Sequence, residues 1–493
     1  MTTDHDRRWL ALVVIGIAQL MIILDSSIVN IALPDAQHAL HITNADRQWA
    51  ITAYTLTFGG LLPLGGRVGD YLGRKRIFLM SLFGFAGASS LGGAAQSGAW
   101  LFSARAIQGV FAALLAPAVL SLITTTFTEA KERAKAFAVY GAISGTGGAL
   151  GLIAGGALTQ YLSWRWTLLV NTPIAIAVAF AAVPLLSESR AEGDRRFDIP
   201  GTLSVTGGLA LLVYGFTEAS IHGWSAPRTI TLLVVAGLVL AQFIFWETRA
   251  ANPILPLRIV LHRNRGGSYL AFLLATLGMF SSFLFLSYYF QGVLGYSPLK
   301  AGVAFLPFPL GVITSSTIAS KTLPRFGPRA LAITGFSLAT LGMLWLTQLP
   351  PHSAYIAHVV PSELLISLGM GQVFVPLSST ALLGVPNHDA GAASALVNTM
   401  QQIGGSLGIA LLNTIATSAS ASYATSHHVL PNVPAAAVHG YTTAFAVSVG
   451  IMLVALVAVA SLIRRPQAPA GGAGATDGAA GEGLPLEPVV IGA

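Results

Sequence analysis

The chain alternates long apolar runs with short polar punctuation. Stretches of about 20 mostly apolar residues, the length a helix needs to cross a hydrocarbon core, recur along it, each closed by charges or by Gly and Pro. They fall at 10–33, 48–69, 77–96, 101–125, 136–160, 167–186, 201–216, 229–246, 267–290, 301–320, 330–347, 362–383, 391–417 and 441–463. The pattern predicts an all-α integral membrane protein with 14 transmembrane helices.

The cations test that count, because Lys and Arg concentrate in cytoplasmic loops. With the N-terminus placed in the cytoplasm, the loops on that side hold Arg7 and Arg8, the cluster Arg67, Arg74, Lys75 and Arg76, and further Lys and Arg in each later loop through Arg464 and Arg465. The opposite face keeps only Arg47, Arg165, Arg228 and Lys300, and Arg105 lies inside a span. One missed or invented helix would scramble this alternation downstream, so both termini are expected to be cytoplasmic. The first span runs too directly into the body to be a cleaved signal peptide.

Charge-rich stretches at 187–200 and 247–265 read as linkers. They divide the chain into a six-helix bundle (1–186), an inserted helix pair (201–246) and a second six-helix bundle (266–465), a 6 + 2 + 6 order. Residues 466–493, rich in Gly, Ala and Pro, read as a disordered cytoplasmic tail.

Composition narrows the function. Of 493 residues 54% are hydrophobic and 9% charged, against about 25% charged in soluble domains. No Cys is present, which excludes disulfides, thiolate metal sites and a cysteine nucleophile. The net charge of +7 is scattered over short loops, so nucleic acid is not an expected partner. The sequence shows no phosphate loop, metal-ligand cluster or nucleophile elbow. Neither an enzyme nor an ATP-driven pump is expected, and no cofactor or metal is implied.

Ionisable groups inside hydrocarbon are costly and usually line a cavity or a proton path. Asp25 sits mid-span, within Leu24-Asp25-Ser26-Ser27-Ile28-Val29-Asn30. It can bind and release a proton; the structural alternative is a carboxylate held by neighbouring hydroxyls and amides to orient the helix. Arg105 is the cation inside a span, with Gln108 one turn on. It needs an acceptor, either an acid in its own bundle whose proton affinity it tunes or a permanent structural partner. Glu218 and Glu363 lie near the outer ends of their spans and are expected to reach the interface. Gly147, Gly151, Gly155 and Gly156 give the fifth span a small-residue face that lets a neighbour approach closely. A similar face recurs around Gly404, Gly405 and Gly408, beside Asn398, Gln401 and Gln402.

The run Gly66-Arg67-Val68-Gly69-Asp70-Tyr71-Leu72-Gly73-Arg74-Lys75-Arg76 resembles the loop signature between the second and third helices of the major facilitator superfamily. In chain order, Leu24 to Pro34 resembles the first-helix motif of its drug:proton antiporter branches, Arg105 to Gly109 the fourth-helix motif, and Gly147 to Gly156 the fifth-helix antiporter motif. Asp198 to Gly201 and Gly295 to Gly302 point to the 14-helix branch, the multidrug efflux transporters of the EmrB/QacA type. Leu152 stands where that fifth-helix motif usually has Pro, and the second-half loop from Lys321 to Arg329 lacks an acid. A symmetrical second lock is therefore not expected.

The resemblance implies a proton-coupled antiporter that exports drugs, antibiotics or other lipophilic compounds across the cell membrane by alternating access. It assigns proton coupling to Asp25 and Arg105, and an inner gate to Gly66, Asp70, Gly73, Arg74 and Lys75. Asn30, Gln108, Phe283, Tyr288, Gln291, Asn398, Gln401 and Gln402 are expected to line the cavity. The partners would be a small organic substrate, protons and membrane lipid, with a monomer as the default. A dedicated exporter of one endogenous compound, such as a self-made antibiotic, a lipid or a peptide, is the alternative within transport. A transport-inactive membrane sensor is the alternative outside it.

Overall fold

The computed structural model describes residues 4–190, 198–250, 253, 257–351, 354–383, 385, 390–430 and 433–464. The expected tail at 466–493 and residues 191–197 of the first expected linker lie outside the described residues. The described residues are helical with no strand.

The first half holds α1 (Asp4–Ala39), α2 (Trp49–Leu72), α3 (Arg74–Gly93), α4 (Gly98–Thr126), α5 (Ala130–Tyr161), the short α6 (Trp166–Leu169) and α7 (Asn171–Leu185). A hairpin of α8 (Ile199–His222) and α9 (Pro227–Glu247) follows. The second half comprises α10 (Leu257–Val260), α11 (Arg263–Tyr288) running into a π-turn at Tyr289–Val293, α12 (Pro298–Ala304), α13 (Pro307–Leu346), α14 (Tyr355–His358), α15 (Val360–Leu382), α16 (Ala390–Ser426) and α17 (Pro434–Leu462). Among the described residues 10 helices are long and apolar enough to cross a membrane, and Trp49–Leu62 is a shorter apolar helix. One of the 10, Pro298–Leu346, covers 49 residues. It turns sharply at Gly327, where φ is 77° and Pro324 and Pro328 flank the break.

Local chemistry sets several starts. Ser97 accepts a hydrogen bond from the Trp100 amide at 3.3 Å to open α4, and Asp198 accepts from the Gly201 amide at 2.9 Å to open α8 with Pro200 in its first turn. Ser297 and Pro298 open α12 the same way.

In the first half α2 packs on α4, α1 on α5, and α3 on α4 and α7; in the second, α13 packs on α15 and α17, and α11 on α16 and α17. The α8–α9 hairpin rests through α8 on α2 and α16, the helices that also join the halves. On α9, Val234, Leu238, Ile244 and Phe245 are exposed, as a lipid-facing helix requires. With no hydrophobic drive between helices in lipid, close backbone approach supplies the cohesion. At Gly109 a Cβ would meet Thr57 Oγ1 at 2.1 Å and the Tyr54 carbonyl at 2.4 Å. Only glycine allows α4 to lie this near α2.

Candidate functional site

The close approach at Gly109 delivers Arg105, one turn earlier on α4, into the centre of the first half, where it is 1% exposed. Its Nη1 donates to Asp25 Oδ2 at 2.6 Å and to Gln108 Oε1 at 2.7 Å, and its Nε donates to the Ala50 carbonyl at 3.0 Å. The guanidinium lies 4.3 Å from the Tyr54 ring centroid, a cation–π contact. Asp25 is fully buried. Its other oxygen accepts from Gln108 Nε2 at 2.7 Å and Asn171 Nδ2 at 2.8 Å. Gln108 Nε2 also donates to Ser89 Oγ at 2.8 Å. Five helices, α1, α2, α3, α4 and α7, meet at one ion pair.

Such a cluster has two workable charge states. With Asp25 ionised, three donors converge on its two oxygens and the buried cation is balanced. With Asp25 protonated, the guanidinium keeps Gln108, Ala50 and the Tyr54 face. A buried pair costs several kcal/mol to desolvate and returns it only when every lone pair is met. The cluster meets most of that condition for the ionised form, with three donors on the two Asp25 oxygens, and these bonds are the ones a proton would rearrange.

The fifth-helix glycines set α5 beside this site. A Cβ at Gly147 would meet Ile23, one at Gly151 would sit 1.9 Å from Ser27 Oγ, and one at Gly155 would sit 2.7 Å from the Ile28 carbonyl, so three glycines bracket Asp25 along α1. Gly156 faces Pro298 and Leu299 across the boundary between the halves. Leu152 is buried and α5 runs through it as helix. Gly404 and Gly408 face the α11 backbone at Leu273 and Leu277 in the same manner.

A second constellation joins the halves where α1 ends and α2 begins. Arg47 is 5% exposed; its Nε donates to Asn413 Oδ1 at 3.0 Å, and its guanidinium lies 4.1 Å from the Tyr288 ring centroid. Asn413 Nδ2 donates to the Asn44 carbonyl at 3.1 Å. Tyr288 Oη donates to Gln37 Oε1, Ser287 Oγ to the Asn30 carbonyl at 2.7 Å, and Gln291 Nε2 to the Ile31 carbonyl at 2.9 Å. The Leu299 amide donates to Gln160 Oε1 at 3.2 Å. These bonds form a continuous seam along one end of the molecule.

Several expected site residues fall elsewhere. Tyr288, Gln291 and the Asn30 carbonyl belong to that seam. Phe283 sits in an aromatic cluster with Phe305 and Phe308, at centroid distances of 5.6 and 4.8 Å. Asn398 is exposed, and Gln401 and Gln402 are half-buried on α16, with Gln402 Cβ against Gly59 of α2. The side chain of Asp70 lies outside the described residues. Gly66 is half-buried. Gly73 takes a φ of +110°, and its missing Cβ leaves room for the Glu188 carboxylate. That carboxylate accepts from the amides of Lys75 and Arg76, both at 3.1 Å, an anion at the N-terminus of α3. The Arg74 amide donates to the Ser189 carbonyl at 3.0 Å, and Lys75 Nζ to the Val183 carbonyl at 2.7 Å. Glu218 is buried and pairs with His222 at 2.9 Å and Arg228 at 3.3 Å. Glu363, expected at the interface, is 1% exposed.

The sequence reading missed Asn171, Ser89, Tyr54, Asn413 and Glu188. Asn171 and Asn413 carried a usable signal, an amide within an apolar stretch. Ser89 and Tyr54 carried none.

The family model described as Major Facilitator Superfamily matches residues 15–409. The chain belongs to the Major Facilitator Superfamily. It is therefore a multi-span membrane transporter of small molecules, sited in the cell membrane, and not an enzyme. Among relatives of this superfamily member, the puromycin resistance protein pur8 of Streptomyces alboniger is 52% identical over 456 residues, covering 92% of this chain and 90% of that protein. The cephamycin export protein CmcT of Amycolatopsis lactamdurans is 39% identical over 425 residues, 85% of this chain and 87% of that protein. In fold, the superfamily architecture matches the nucleoside transporter NupG at a TM-score of 0.64 with 10% identity, covering 92% of this chain and all of that one. Among the described residues no group of three or more His, Asp or Glu is placed to hold a metal.

Proposed function

We propose that this chain is a proton-coupled antiporter that exports an antibiotic or drug-like organic molecule by alternating access. The observation that carries the reading is the buried Asp25–Arg105 pair with its amide partners. An exporter driven by a proton gradient needs a carboxyl group that can hold its charge in one state and lose it in another, and this cluster offers defined partners for both. Fourteen spans in 6 + 2 + 6 order, with both termini cytoplasmic, fit the helices if the bend at Gly327 separates two crossings and α6 joins α7 in one. The Arg47–Asn413 seam then lies on the outer face, and its bonds hold that face shut.

In this reading a proton reaching Asp25 from outside weakens its hold on Arg105. The halves then rock about a substrate site near the midplane. Asp70 and the Gly73–Lys75 loop act as the inner gate, exchanging the anchoring to Glu188, Ser189 and Val183 for cross-half bonds when the inner face closes. The cycle draws on the gradient alone, needs no cofactor, and is carried out by a monomer.

A narrower form is favoured by the relatives, two of which carry single antibiotics in their names. Puromycin is accordingly the first substrate to test. Purified protein in proteoliposomes with an imposed pH gradient would be given puromycin and a panel of lipophilic dyes, in wild-type and Asp25→Asn forms. Gradient-driven movement that Asp25→Asn abolishes supports proton coupling; movement of puromycin without the dyes selects the dedicated exporter. If no compound responds to the gradient, coupling is refuted.

A further inference from the structure

The second half holds an acid that this mechanism does not use. Glu363 lies on α15, which is the fourth crossing of its half when α13 is divided at Gly327, just as α4 is the fourth of the first half. Arg105 stands two turns into α4 from Gly98, whereas Glu363 stands in the first turn of α15, which begins at Val360 after the short α14. The environments differ completely. Arg105 has three hydrogen-bond acceptors, whereas neither carboxylate oxygen of Glu363 has a hydrogen-bond partner, at 1% exposure.

The neighbouring polar groups are already committed. Tyr355 on α14 donates to the Ala304 carbonyl at 2.7 Å. His358 on α14 is half-buried, with Nδ1 3.4 Å from the Ala354 carbonyl. Tyr296 carries the Lys300 ammonium 3.8 Å from its ring centroid. On α13 the cations Lys321, Arg325 and Arg329 lie around the Gly327 bend, at the opposite end from Glu363. On α11, Tyr288 is bound to Gln37 beneath Arg47, and on α16 Tyr423 and His427 stack on each other at the exposed end. A structural carboxylate would have found donors; an anion without them, away from water, is the arrangement proteins avoid.

An open, mostly apolar groove of about 590 Å³ lies beside the start of α15, walled by Val360 and Leu364, the residues one turn before and next after Glu363, by Val303 and Leu310, and by Tyr355 and Lys300. Glu363 itself does not line that space.

We propose that Glu363 is a second proton-binding site of the transport cycle, occupied by a proton in this conformation and emptied to water when α12 to α15 rearrange and wet the groove side of α15. The step breaks the carboxyl O–H bond, transfers the proton to water, and leaves a carboxylate within reach of solvent and of the Lys300 side. This inference rests on the proton-coupled reading above.

Two readouts on the full-length protein test it. In infrared acid–base titration, wild type and Asp25→Asn should both show at neutral pH a buried protonated carboxyl band that Glu363→Gln lacks. In proteoliposomes with puromycin as the probe, Glu363→Gln should lower the proton-to-puromycin ratio by about half, as expected when one of two protonatable sites is lost, and Glu363→Asp should restore it. Gln matches the neutral acid in shape, so the variant should fold and elute as wild type does. An unchanged set of carboxyl bands in Glu363→Gln overturns the inference. So does an unchanged ratio in Glu363→Gln beside loss of coupling in Asp25→Asn, which leaves the antiporter reading standing. Absence of gradient-driven flux in every form removes both.

Discussion

Removing Arg105 tests whether the buried cluster works as one unit. Arg105→Ala deletes the 2.6 Å bond to Asp25 Oδ2 and the bonds to Gln108 and Ala50, and it takes the cation off the Tyr54 ring. Asp25 would keep Gln108 and Asn171 on one oxygen and face no donor on the other. Breaking a buried pair by removing one partner costs about 3–5 kcal/mol, because the survivor stays buried with its charge. Asp25→Asn acts differently. The amide offers one oxygen where the carboxylate offered two, so at least one of the three converging donors meets an NH2 group and Arg105 loses its counter-charge. In Asp25→Asn/Arg105→Ala the stranded charge is gone, so the double variant should recover part of the loss. The coupling energy is expected at about 2 kcal/mol, within the range of groups in direct contact. The assay is SDS-driven unfolding of the four forms in mixed micelles, followed by helical circular dichroism. Losses that add to within about 0.5 kcal/mol, as for independent sites, would refute the linked-pair argument.

Other consequences can be checked separately. Gly109→Val should destabilise the first half by about 1–3 kcal/mol through overpacking against Thr57 and the Tyr54 carbonyl, and should weaken coupling by displacing Arg105; unfolding midpoints and gradient-driven flux read the two effects. Arg47→Ala should loosen the seam by freeing Asn413 and Tyr288. Because the chain contains no Cys, a single probe such as Leu299→Cys can report this as faster labelling by a membrane-impermeant maleimide, and an unchanged rate would show that the seam does not depend on Arg47. Glu188→Ala removes the carboxylate that receives the Lys75 and Arg76 amides and should cost about 1 kcal/mol, as losing a helix cap does, measured in the same unfolding assay.

The sequence by itself determined the all-helical membrane class, because apolar run length is a local property that the bilayer reads directly. It also determined that Asp25 and Arg105 had to be answered by something, since neither charge can be left alone among apolar residues. The glycine run on α5 announced a close neighbour before that neighbour was known. Tertiary structure decided the partners. Which face of α1 meets α4 depends on helix rotation and crossing, set by packing such as that at Gly109 and Gly151 rather than by the period of the sequence. That packing brings Asn171, distant in the chain, onto the same carboxylate oxygen as Gln108. It also turns Arg47 from an apparent loop cation into a buried tie to Asn413, and takes Tyr288 and Gln291 into the seam. Glu363 is the clearest case, since its position near a helix end allowed its carboxyl to reach water, and only the assembled second half closes that route.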